Sequence, residues 1–292
     1  MPPRLFVIGS TGFVGSRLLR AASARFEVYG GSRNASDDKH AVSIDITEPA
    51  SVRAAFEKVQ PQIVIHLAAL SDIDRCERER DLAQRINHAG AVNVARECQR
   101  LGARMLYTST DAVFDGTKGF YREDDPPTPP NWYGQTKARA EADIRKILPE
   151  SAIVRLSLVL GHSESPGGNS YLDKVTANLA AGNTIHAATF EFRNPIDVGT
   201  LCAFLLELAE QPDASGIFHV GASDKMSRYE LTRAVAAQLR YDPQMIIPQD
   251  APPAGRAARG ADDFLATDRV RQFCQTPVPT CRQVIERAVR RD

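Results

Sequence analysis

The stretch Gly9-Ser10-Thr11-Gly12-Phe13-Val14-Gly15 decides the fold, because it joins a strand-like run to a segment of helical periodicity. The apolar run Leu5 to Ile8 precedes it, and Val14 to Ala24 carries apolar side chains at helical spacing. Glycines at such a turn let the backbone bend sharply and approach a phosphate, while the helix N-terminus offers free amides and the positive end of its dipole. We therefore predict that this turn holds the pyrophosphate of a dinucleotide. An ordinary strand-to-helix connection is the alternative when the glycines are considered alone.

The alternation of strand and helix continues along the first half of the chain. The further strand-like runs are Glu27 to Tyr29, Val42 to Ile46, Ile63 to Leu67, Arg104 to Thr108 and Ile153 to Leu156. The further segments of helical spacing are Ala50 to Gln60, Asp81 to Leu101 and Tyr133 to Ile147. This order predicts an α/β fold, with a doubly wound parallel sheet of the Rossmann type covered by helices on both faces.

The regular alternation of strand and helix patterns ends after Leu160, where a predicted loop carries Gly161, Pro166, Gly167 and Gly168. Beyond it we predict helices over Tyr171 to Ala181, Asp197 to Glu210, Arg228 to Leu239 and Cys281 to Arg291. We also predict a strand over Gly216 to Val220 and a loop over Pro248 to Ala261. We therefore divide the chain into a dinucleotide-binding domain, residues 1–160, and a smaller C-terminal α/β substrate-binding region, residues 161–292, which is free to interleave with the first.

The composition excludes several classes of protein. Formal net charge is zero, 43% of residues are apolar and no long basic run occurs, so we expect neither nucleic acid nor a membrane as partner. Five scattered cysteines without a C-x-x-C pair, and six histidines without ligand spacing, predict neither disulfides nor a metal site. Because the sequence shows no signal-peptide pattern and no bilayer-length apolar run, we expect a cytoplasmic protein. A homodimer stays open.

Three residues predict the chemistry of the site. Tyr133 and Lys137 lie four apart at the start of a predicted helix and therefore share a face. Thr110 stands at the C-terminal end of the fifth strand, where doubly wound sheets place their ligand sites. We expect Tyr133 to donate a proton to a ketone oxygen, Lys137 to lower the pKa of that phenol and hold the nicotinamide ribose, and Thr110 to orient the carbonyl, with hydride from the cofactor. Purely structural roles at a strand end and a helix are the alternative.

The spacing G-x-x-G-x-x-G, with Thr11-Gly12 at its centre, resembles the extended short-chain dehydrogenase/reductase family. Where an NAD site has an acidic residue after the second strand, this chain has Ser32 and Arg33, which suit a 2′-phosphate. We therefore predict NADP(H) in preference to NAD(H), with a solvated Arg33 as the alternative. The resemblance implies further contacts near the adenine and ribose, so that the predicted cofactor-binding set is Gly9, Thr11, Gly12, Phe13, Val14, Gly15, Ser32, Arg33, Asp45, Ile46, Leu67, Ala68, Ala69, Tyr133 and Lys137.

The run from Ser109 to Gly119, followed by Glu123-Asp124-Asp125-Pro126 and by Tyr133-Gly134-Gln135-Thr136-Lys137, closely resembles the dTDP-4-dehydrorhamnose reductases. This resemblance implies NADPH-dependent reduction of the 4-keto group of a nucleotide-linked deoxy sugar. We expect Asp111 and Arg193 to contact that substrate, because a guanidinium suits a diphosphate; a plain loop role for Arg193 is an equal alternative.

Two departures from this resemblance bear on the substrate. Ala112 stands where these reductases usually carry Tyr, and Leu70-Ser71 replaces an aromatic-Thr pair, so the sugar stays open. Sugar-nucleotide dehydratases of the superfamily carry Thr-Asp-Glu, and Ala112 removes the Glu that such an elimination needs as a base. A sugar-nucleotide epimerase remains an alternative. So does a non-catalytic NADP-binding subunit, because the regulatory β subunit of methionine adenosyltransferase has similar motifs.

Overall fold

The computed structural model describes residues 2–34, 38–164 and 170–290. Its strands, in chain order, are β1 (Arg4–Ile8), β2 (Glu27–Ser32), β3 (Ala41–Ser43), β4 (Ile63–His66), β5 (Arg104–Thr110), β6 (Ala152–Leu156), β7 (Val159–Leu160), β8 (Ile185–Ala188), β9 (Phe192–Arg193), β10 (Ile196–Asp197), β11 (Gly216–Val220), β12 (Met226–Ser227) and β13 (Ile246–Gln249). Seven of them form one parallel sheet in the order β11-β6-β5-β4-β1-β2-β3. The predicted doubly wound parallel sheet is thus confirmed.

The helices are α1 (Phe13–Ala22), α2 (Pro49–Val59), α3 (Ile73–Arg78), α4 (Arg80–Ala83), α5 (Ala91–Leu101), α6 (Trp132–Ile147), α7 (Tyr171–Ala180), α8 (Val198–Glu210), α9 (Arg228–Gln238), α10 (Val270–Phe273) and α11 (Cys281–Ala288). A π-helical turn, Gln84–Gly90, joins α4 to α5, and short 3-10 turns lie at Asp111–Val113 and Pro243–Met245. The single helix predicted from Asp81 to Leu101 is therefore interrupted by a π turn, which apolar periodicity does not reveal. No helix in the described ranges is long and apolar enough to span a bilayer.

Helices cover both faces of the sheet. On one face α1 and α8 pack through fully buried Leu18, Leu201 and Phe204. On the other face α2, α5 and α6 pack through Phe56, Val94 and Ile144, together with the sheet residues between them. Full burial of each such side chain contributes about 1.5 to 3 kcal/mol, so these two layers are the main stabilising contacts of the fold.

Side-chain caps fix where several helices begin. Asn131 accepts a hydrogen bond from the Gly134 amide at the start of α6, and Asp197 accepts from the Thr200 amide at the start of α8. Ser227 and Glu230 form a capping box at α9. Each cap contributes about 1 kcal/mol. The cap at Asn131 matters most for the site, because it sets the first turn of the helix that carries Tyr133.

Strand β3 ends earlier than the sequence predicts, at Ser43 rather than Ile46. The reason is local: the Asp45 carboxylate accepts hydrogen bonds from the Thr47 amide and hydroxyl, and the Asp45 amide donates to Ser51 Oγ. These bonds turn the chain towards α2 and remove it from the sheet.

The second half of the chain contributes to the central sheet as well as to a smaller core. Strand β11 pairs in parallel with β6, and α8 packs on the face of the sheet. A separate apolar cluster joins α7, α9 and α11 to β8 and β13, which pair in parallel. The division of the chain at residue 160 stays a prediction. The predicted loop residues Pro166, Gly167 and Gly168, and the predicted helix end at Arg291, lie outside the described residues.

Candidate active site

A cleft of about 940 Å³ opens at the C-terminal edge of the central sheet. It lies where the strand order reverses, between β1 and β4, which is the usual ligand position in doubly wound folds. Both halves of the chain line it. We call the part formed by the Gly9 to Gly15 loop the glycine end, and the part formed by the following side chains the charged end: Asp74, Asp111, Lys174, Glu191, Arg193, Arg228, Arg256, Arg259 and Asp263.

The backbone of the glycine end is packed so closely that side chains cannot replace two of its glycines. A Cβ at Gly9, whose φ is +92°, would lie 2.7 Å from the Ala68 nitrogen. A Cβ at Gly15 would lie 2.2 Å from the Gly9 carbonyl oxygen. Both distances are below any real contact, so the loop keeps its close turn only with glycine at these positions.

The glycine end presents backbone donors to the cleft. Helix α1 begins at Phe13, directly after Gly12, and no side chain caps its first turn. Its first amides therefore have no partner within the helix, and the positive end of the helix dipole points the same way. Thr11, Gly12, Phe13, Val14 and Gly15 all line the cleft. We call these uncapped amides, with the glycines beside them, the glycine cradle; it fits the pyrophosphate of a nicotinamide dinucleotide.

The other predicted cofactor residues divide into two groups. Leu67 and Ala69 line the cleft, while Ala68 packs against the neighbouring apolar core. Four more lie beyond the cleft: Ser32 ends β2, Arg33 follows it, and Asp45 and Ile46 come after β3. Strand β2 still adjoins the glycine loop, because the carbonyl of Gly31 in β2 accepts hydrogen bonds from the Gly9 and Ser10 amides.

Within that second group the side chains differ in exposure. Arg33 is exposed, whereas Ile46 is buried beside Gly90, where a Cβ would lie 2.8 Å from the isoleucine. Arg33 also helps to lower the pKa of Asp45, although the hydrogen bonds from Thr47 are the larger cause. No residue of the described ranges bonds the Arg33 guanidinium, which is thus placed to meet a ligand beyond the C-terminal end of β2.

Thr110, Tyr133 and Lys137 come together at the middle of the cleft. Helix α6 can approach the end of β5 because residue 134 is glycine: a Cβ there would lie 2.0 Å from the Ala112 carbonyl oxygen. Asn131 holds the start of the helix from the other side, donating from Nδ2 to the Ala258 carbonyl at 2.9 Å. Sequence reasoning missed Gly134 and Asn131 as parts of the site, although both adjoin the predicted tyrosine.

Tyr133 is a buried phenol at the floor of the cleft. Burial raises its pKa, and a hydrogen bond with Thr110 opposes the rise. The Thr110 hydroxyl donates to Asp111 Oδ1 at 3.1 Å and accepts from the Ala112 amide at 3.2 Å. The expected lowering of this phenol's pKa by the charge of Lys137 stays a prediction. A protonated Tyr133 is the form that can act as an acid near neutral pH.

Lys137 is the most deeply buried amine of the cleft, with 2% of its surface exposed. Its Nζ donates to the Thr108 carbonyl oxygen at 2.7 Å and lies 4.0 Å from the centre of the Tyr107 ring. Burial lowers its pKa to about 7, while Glu141 acts in the opposite direction.

The two predicted substrate residues form one buried cluster with Asp263. Arg193 Nε lies 3.5 Å from Asp111 Oδ2, and its Nη2 lies 2.7 Å from Asp263 Oδ2. The same guanidinium donates to the carbonyls of Phe192 and Gly260. Most donors of Arg193 are thus already bonded within the protein. Burial raises the pKa of both carboxyls, that of Asp263 to about 8, against the opposing charge of Arg193.

Two further arginines of the charged end come from the segment that the sequence identified only as a loop. Arg256 binds the Glu191 carboxylate through both terminal nitrogens, at 3.1 Å for the Nη2 contact. Arg259 does the same to Asp74, at 3.2 and 2.8 Å. These pairs fasten residues 256–260 across the cleft. The repeated arginines in a predicted loop were the one available signal.

Lys174 and Arg228 are cations of the charged end with no carboxylate partner among the residues that the structure describes. Arg228 stacks on the Tyr171 ring, 4.1 Å from its centre, and Lys174 is exposed one turn into α7. Both line the cleft. They are therefore better placed than Arg193 to meet an added anion, and sequence reasoning missed both.

The departures noted in the sequence lie at the middle of the cleft. Ala112 and Ser71 line it, close to Thr110 and Tyr133. Both side chains are small, so the space beside the phenol is wider than a tyrosine at position 112 would leave.

Comparisons with known proteins agree with this geometry. The family model described as RmlD substrate binding domain matches residues 3–292. The chain is 33% identical to the spore coat polysaccharide biosynthesis protein SpsK of Bacillus subtilis over 235 residues, 80% of this chain and 78% of that protein. It is 30% identical to the methionine adenosyltransferase 2 subunit beta of Xenopus tropicalis over 223 residues, 74% of this chain and 66% of that protein.

A solved structure is similar over nearly the whole chain. It is the dTDP-4-dehydrorhamnose reductase of Bacillus anthracis in complex with NADP, with a TM-score of 0.89 and 26% identity, covering 99% of each chain. Its bound NADP agrees with a nicotinamide cofactor in this fold.

Proposed function

Because the chain belongs to the family of the RmlD substrate binding domain, we propose that it is an NADPH-dependent reductase of a keto group in a nucleotide-linked sugar. The first candidate substrate is a dTDP-linked 4-keto-6-deoxyhexose. The observation that carries this proposal is the meeting of Thr110, Tyr133 and Lys137 in one cleft with the glycine cradle. A sugar-nucleotide reductase needs both a phosphate cradle and a proton donor beside it.

The chain's own residues divide the chemistry between them. Thr110 and Tyr133 bind and orient the carbonyl oxygen, and the Tyr133 phenol gives its proton to that oxygen. When bound, the nicotinamide supplies the hydride that reduces the carbonyl carbon. We assign to Lys137, one helical turn from Tyr133 on α6, the stabilisation of the phenolate that remains, as a nearby cation provides. Burial of all three side chains excludes water and strengthens these interactions.

The charged end supports a nucleotide-linked substrate rather than a free sugar. Lys174 and Arg228 offer two cations without carboxylate partners among the described residues, which suits a diphosphate. Asp111 and Arg193 stay in the proposal as substrate contacts, with Arg193 holding Asp111 through its buried ion pair. The small side chains at Ser71 and Ala112 favour a sugar that is bulkier beside the keto group.

The test is oxidation of NADPH in the presence of dTDP-4-keto-6-deoxyhexose, followed by the loss of nicotinamide absorbance. We expect turnover by the unchanged protein and a loss of at least about a hundredfold in Tyr133→Phe, because the phenol is the proton donor. Tyr241→Phe is the matched control, since Tyr241 packs in the C-terminal apolar cluster, outside the cleft. Equal turnover by Tyr133→Phe and the control would refute the proposed role of Tyr133.

We propose NADP(H) as the preferred cofactor because Arg33 is exposed after β2 and its guanidinium, which no described residue bonds, suits a 2′-phosphate. In Arg33→Asp we expect the ratio of NADPH to NADH affinity to fall by about tenfold or more, since a carboxylate repels that phosphate and accepts bonds from a ribose hydroxyl. Arg96→Asp, the same charge reversal at an exposed position on α5, is the control. An unchanged ratio would remove Arg33 from the phosphate site.

A non-catalytic binding role is the second candidate, favoured by the similarity to the methionine adenosyltransferase 2 subunit beta. It predicts tight cofactor binding without oxidation of NADPH by any keto sugar. An epimerase would instead convert one sugar nucleotide into another with no net consumption of cofactor. The same assay, with product analysis, therefore separates all three functions.

A further inference from the structure

A buried row of alternating charges continues from Lys137 away from the cleft. Lys137 and Glu141 lie one helical turn apart on the same face of α6. Arg155, on β6, follows Glu141: its Nε lies 3.1 and 3.2 Å from the two carboxylate oxygens, and its Nη2 lies 2.7 Å from Oε2. Glu141 is 3% exposed and Arg155 is 1% exposed. Three ionisable groups are thus enclosed in the core behind the cleft.

Arg155 is held rigidly at the far end of this row. Its Nη1 lies 3.3 Å from His219 Nε2, and its guanidinium lies 5.0 Å from the centre of the Phe114 ring. Burial, together with the charge of Arg155, lowers the pKa of His219 to about 3, so the imidazole is neutral and its Nε2 accepts the bond. His219 belongs to β11, so the second half of the chain fixes a side chain that bears on the site.

A buried ion pair is weak evidence of stabilisation. Removing two charges from water costs about as much as their attraction returns, and a well-packed apolar pair is often as stable. Ordinary core packing therefore does not explain why this chain places Glu141 and Arg155 behind Lys137. The position of the pair, one turn from the catalytic amine, points to an electrostatic role.

The surroundings of Lys137 contain one carboxylate that acts on it. Tyr107 of β5 lies beneath its Nζ, and Tyr133 precedes it on α6. His66 of β4 is neutral, because burial and, to a smaller extent, the charge of Lys137 lower its pKa. Among the described residues, Glu141 is the group whose charge favours the ammonium form of Lys137. Without it, burial alone would act on the lysine.

We propose that Glu141 is a positioning residue that keeps Lys137 protonated, and that Arg155 with His219 fixes the Glu141 carboxylate so that it acts from one turn away. A Glu141 free of Arg155 would swing to bond Lys137 directly and draw the amine from the Thr108 carbonyl and the cleft. Bound on both oxygens, it attracts the ammonium through space and leaves the lysine donors for the site. The proposal rests on the proposed function in so far as Lys137 assists Tyr133.

The test is a direct titration of Lys137 in the protein without cofactor or substrate. Lysine labelled with carbon-13 gives one side-chain signal for each of the seven lysines, and Lys137→Arg assigns the relevant one by its disappearance. In Glu141→Gln we expect the pKa of Lys137 to fall by about one unit or more, because the favourable charge is gone. Glu123→Gln is the control: it removes a carboxylate that bonds the β11 backbone at His219 and does not act on Lys137.

Glu141→Gln leaves Arg155 buried without its partner and is liable to unfold. The double variant Glu141→Met, Arg155→Met keeps an apolar core and tests the same point. We expect it to fold and still to show the lowered pKa of Lys137. If the pair served only the structure, this double variant would restore the unchanged titration, and a Lys137 pKa within about 0.3 unit of the original would overturn the proposal.

Activity gives an independent check. The pH profile of keto-sugar reduction in either folded variant is expected to lose its alkaline side first, by the same shift as the Lys137 titration. The titration needs no turnover. A chain that shows the shift but reduces no keto sugar would refute the proposed function alone, and a reductase without the shift would refute this inference alone.

Discussion

The glycine end of the cleft is built from backbone, whereas the charged end is built from ion pairs. At the glycine end two missing side chains let the loop close on itself, with Gly15 against the Gly9 carbonyl. At the charged end Arg193, Arg256 and Arg259 each bind a carboxylate contributed by a distant part of the chain. The first end excludes a Cβ at Gly9 and Gly15, and the second is held by ion pairs between distant parts of the chain.

The difference shows how each end achieves selectivity. Backbone amides at a helix N-terminus recognise any phosphate that reaches them, so the glycine end selects a chemical group. Arginines already bound to carboxylates leave few free donors. The charged end therefore selects by the positions of Lys174 and Arg228, which have no carboxylate partner among the described residues, and by the space beside Tyr133. Changes at the two ends should therefore affect different quantities: cofactor affinity at one, substrate affinity at the other.

The largest effect is expected at the glycine end. Gly15→Ala places a Cβ 2.2 Å from the Gly9 oxygen, so the loop must move and cofactor affinity should fall about a hundredfold, as misplacement of a site by about 1 Å can cost. Fluorescence titration with NADPH measures it. Gly102→Ala is the control: its φ of +65° costs about 1 kcal/mol of stability, but it has open space around it and should bind normally. Normal binding by Gly15→Ala would contradict the closed-loop account.

A smaller effect is expected at the charged end from Lys174 and Arg228, for which the described part of the chain supplies no carboxylate partner. Lys174→Ala and Arg228→Ala should each raise the KM for the nucleotide sugar about tenfold, since a charge-assisted hydrogen bond contributes about 1.5 kcal/mol or more. Cofactor affinity should stay unchanged. Lys146→Ala, an exposed change on the outer face of α6, is the control. If the two variants alter cofactor affinity instead, the functional division between the ends is wrong.

The smallest effect concerns stability. The pKa of Asp263 is raised from 3.8 to about 8, so the folded protein keeps a proton that the unfolded chain loses, and this residue's contribution to stability falls as pH rises across that window. Asp263→Asn does not titrate. Its melting temperature, relative to the unchanged protein, should therefore increase between about pH 4 and about pH 8. If differential scanning calorimetry instead gives melting temperatures that change in parallel with pH for the two proteins, Asp263 is ionised in this range and Arg193 keeps both carboxyls in their charged form.

The contrast between the two ends also explains what the sequence could predict. The glycine end is contiguous, so Gly9 to Gly15 could be recognised from the spacing of its residues and the strand before it. Thr110, Tyr133 and Lys137 were found because two of them share a helical turn and the third ends a strand. The sheet itself followed from the alternation of apolar runs, and the structure confirms it.

The charged end was not predictable in the same way, because its partners are far apart in sequence. Arg256 meets Glu191 and Arg259 meets Asp74 only after the chain has folded. Arg193 was predicted to contact a diphosphate on the chemistry of its side chain, yet its donors are largely bonded within the protein. The role of a charged residue depends on its neighbours, which spacing along the chain does not give.

The central claim is that this cleft transfers hydride from the nicotinamide bound at its glycine end to a keto sugar bound at its charged end. It is tested most directly with NADPH deuterated at the transferable position, prepared as each stereoisomer. The account predicts that one stereoisomer leaves deuterium on the carbinol carbon of the reduced nucleotide sugar, as seen by mass spectrometry and proton NMR. Tight binding of NADPH with no deuterium transferred to any keto sugar, from either stereoisomer, would contradict it.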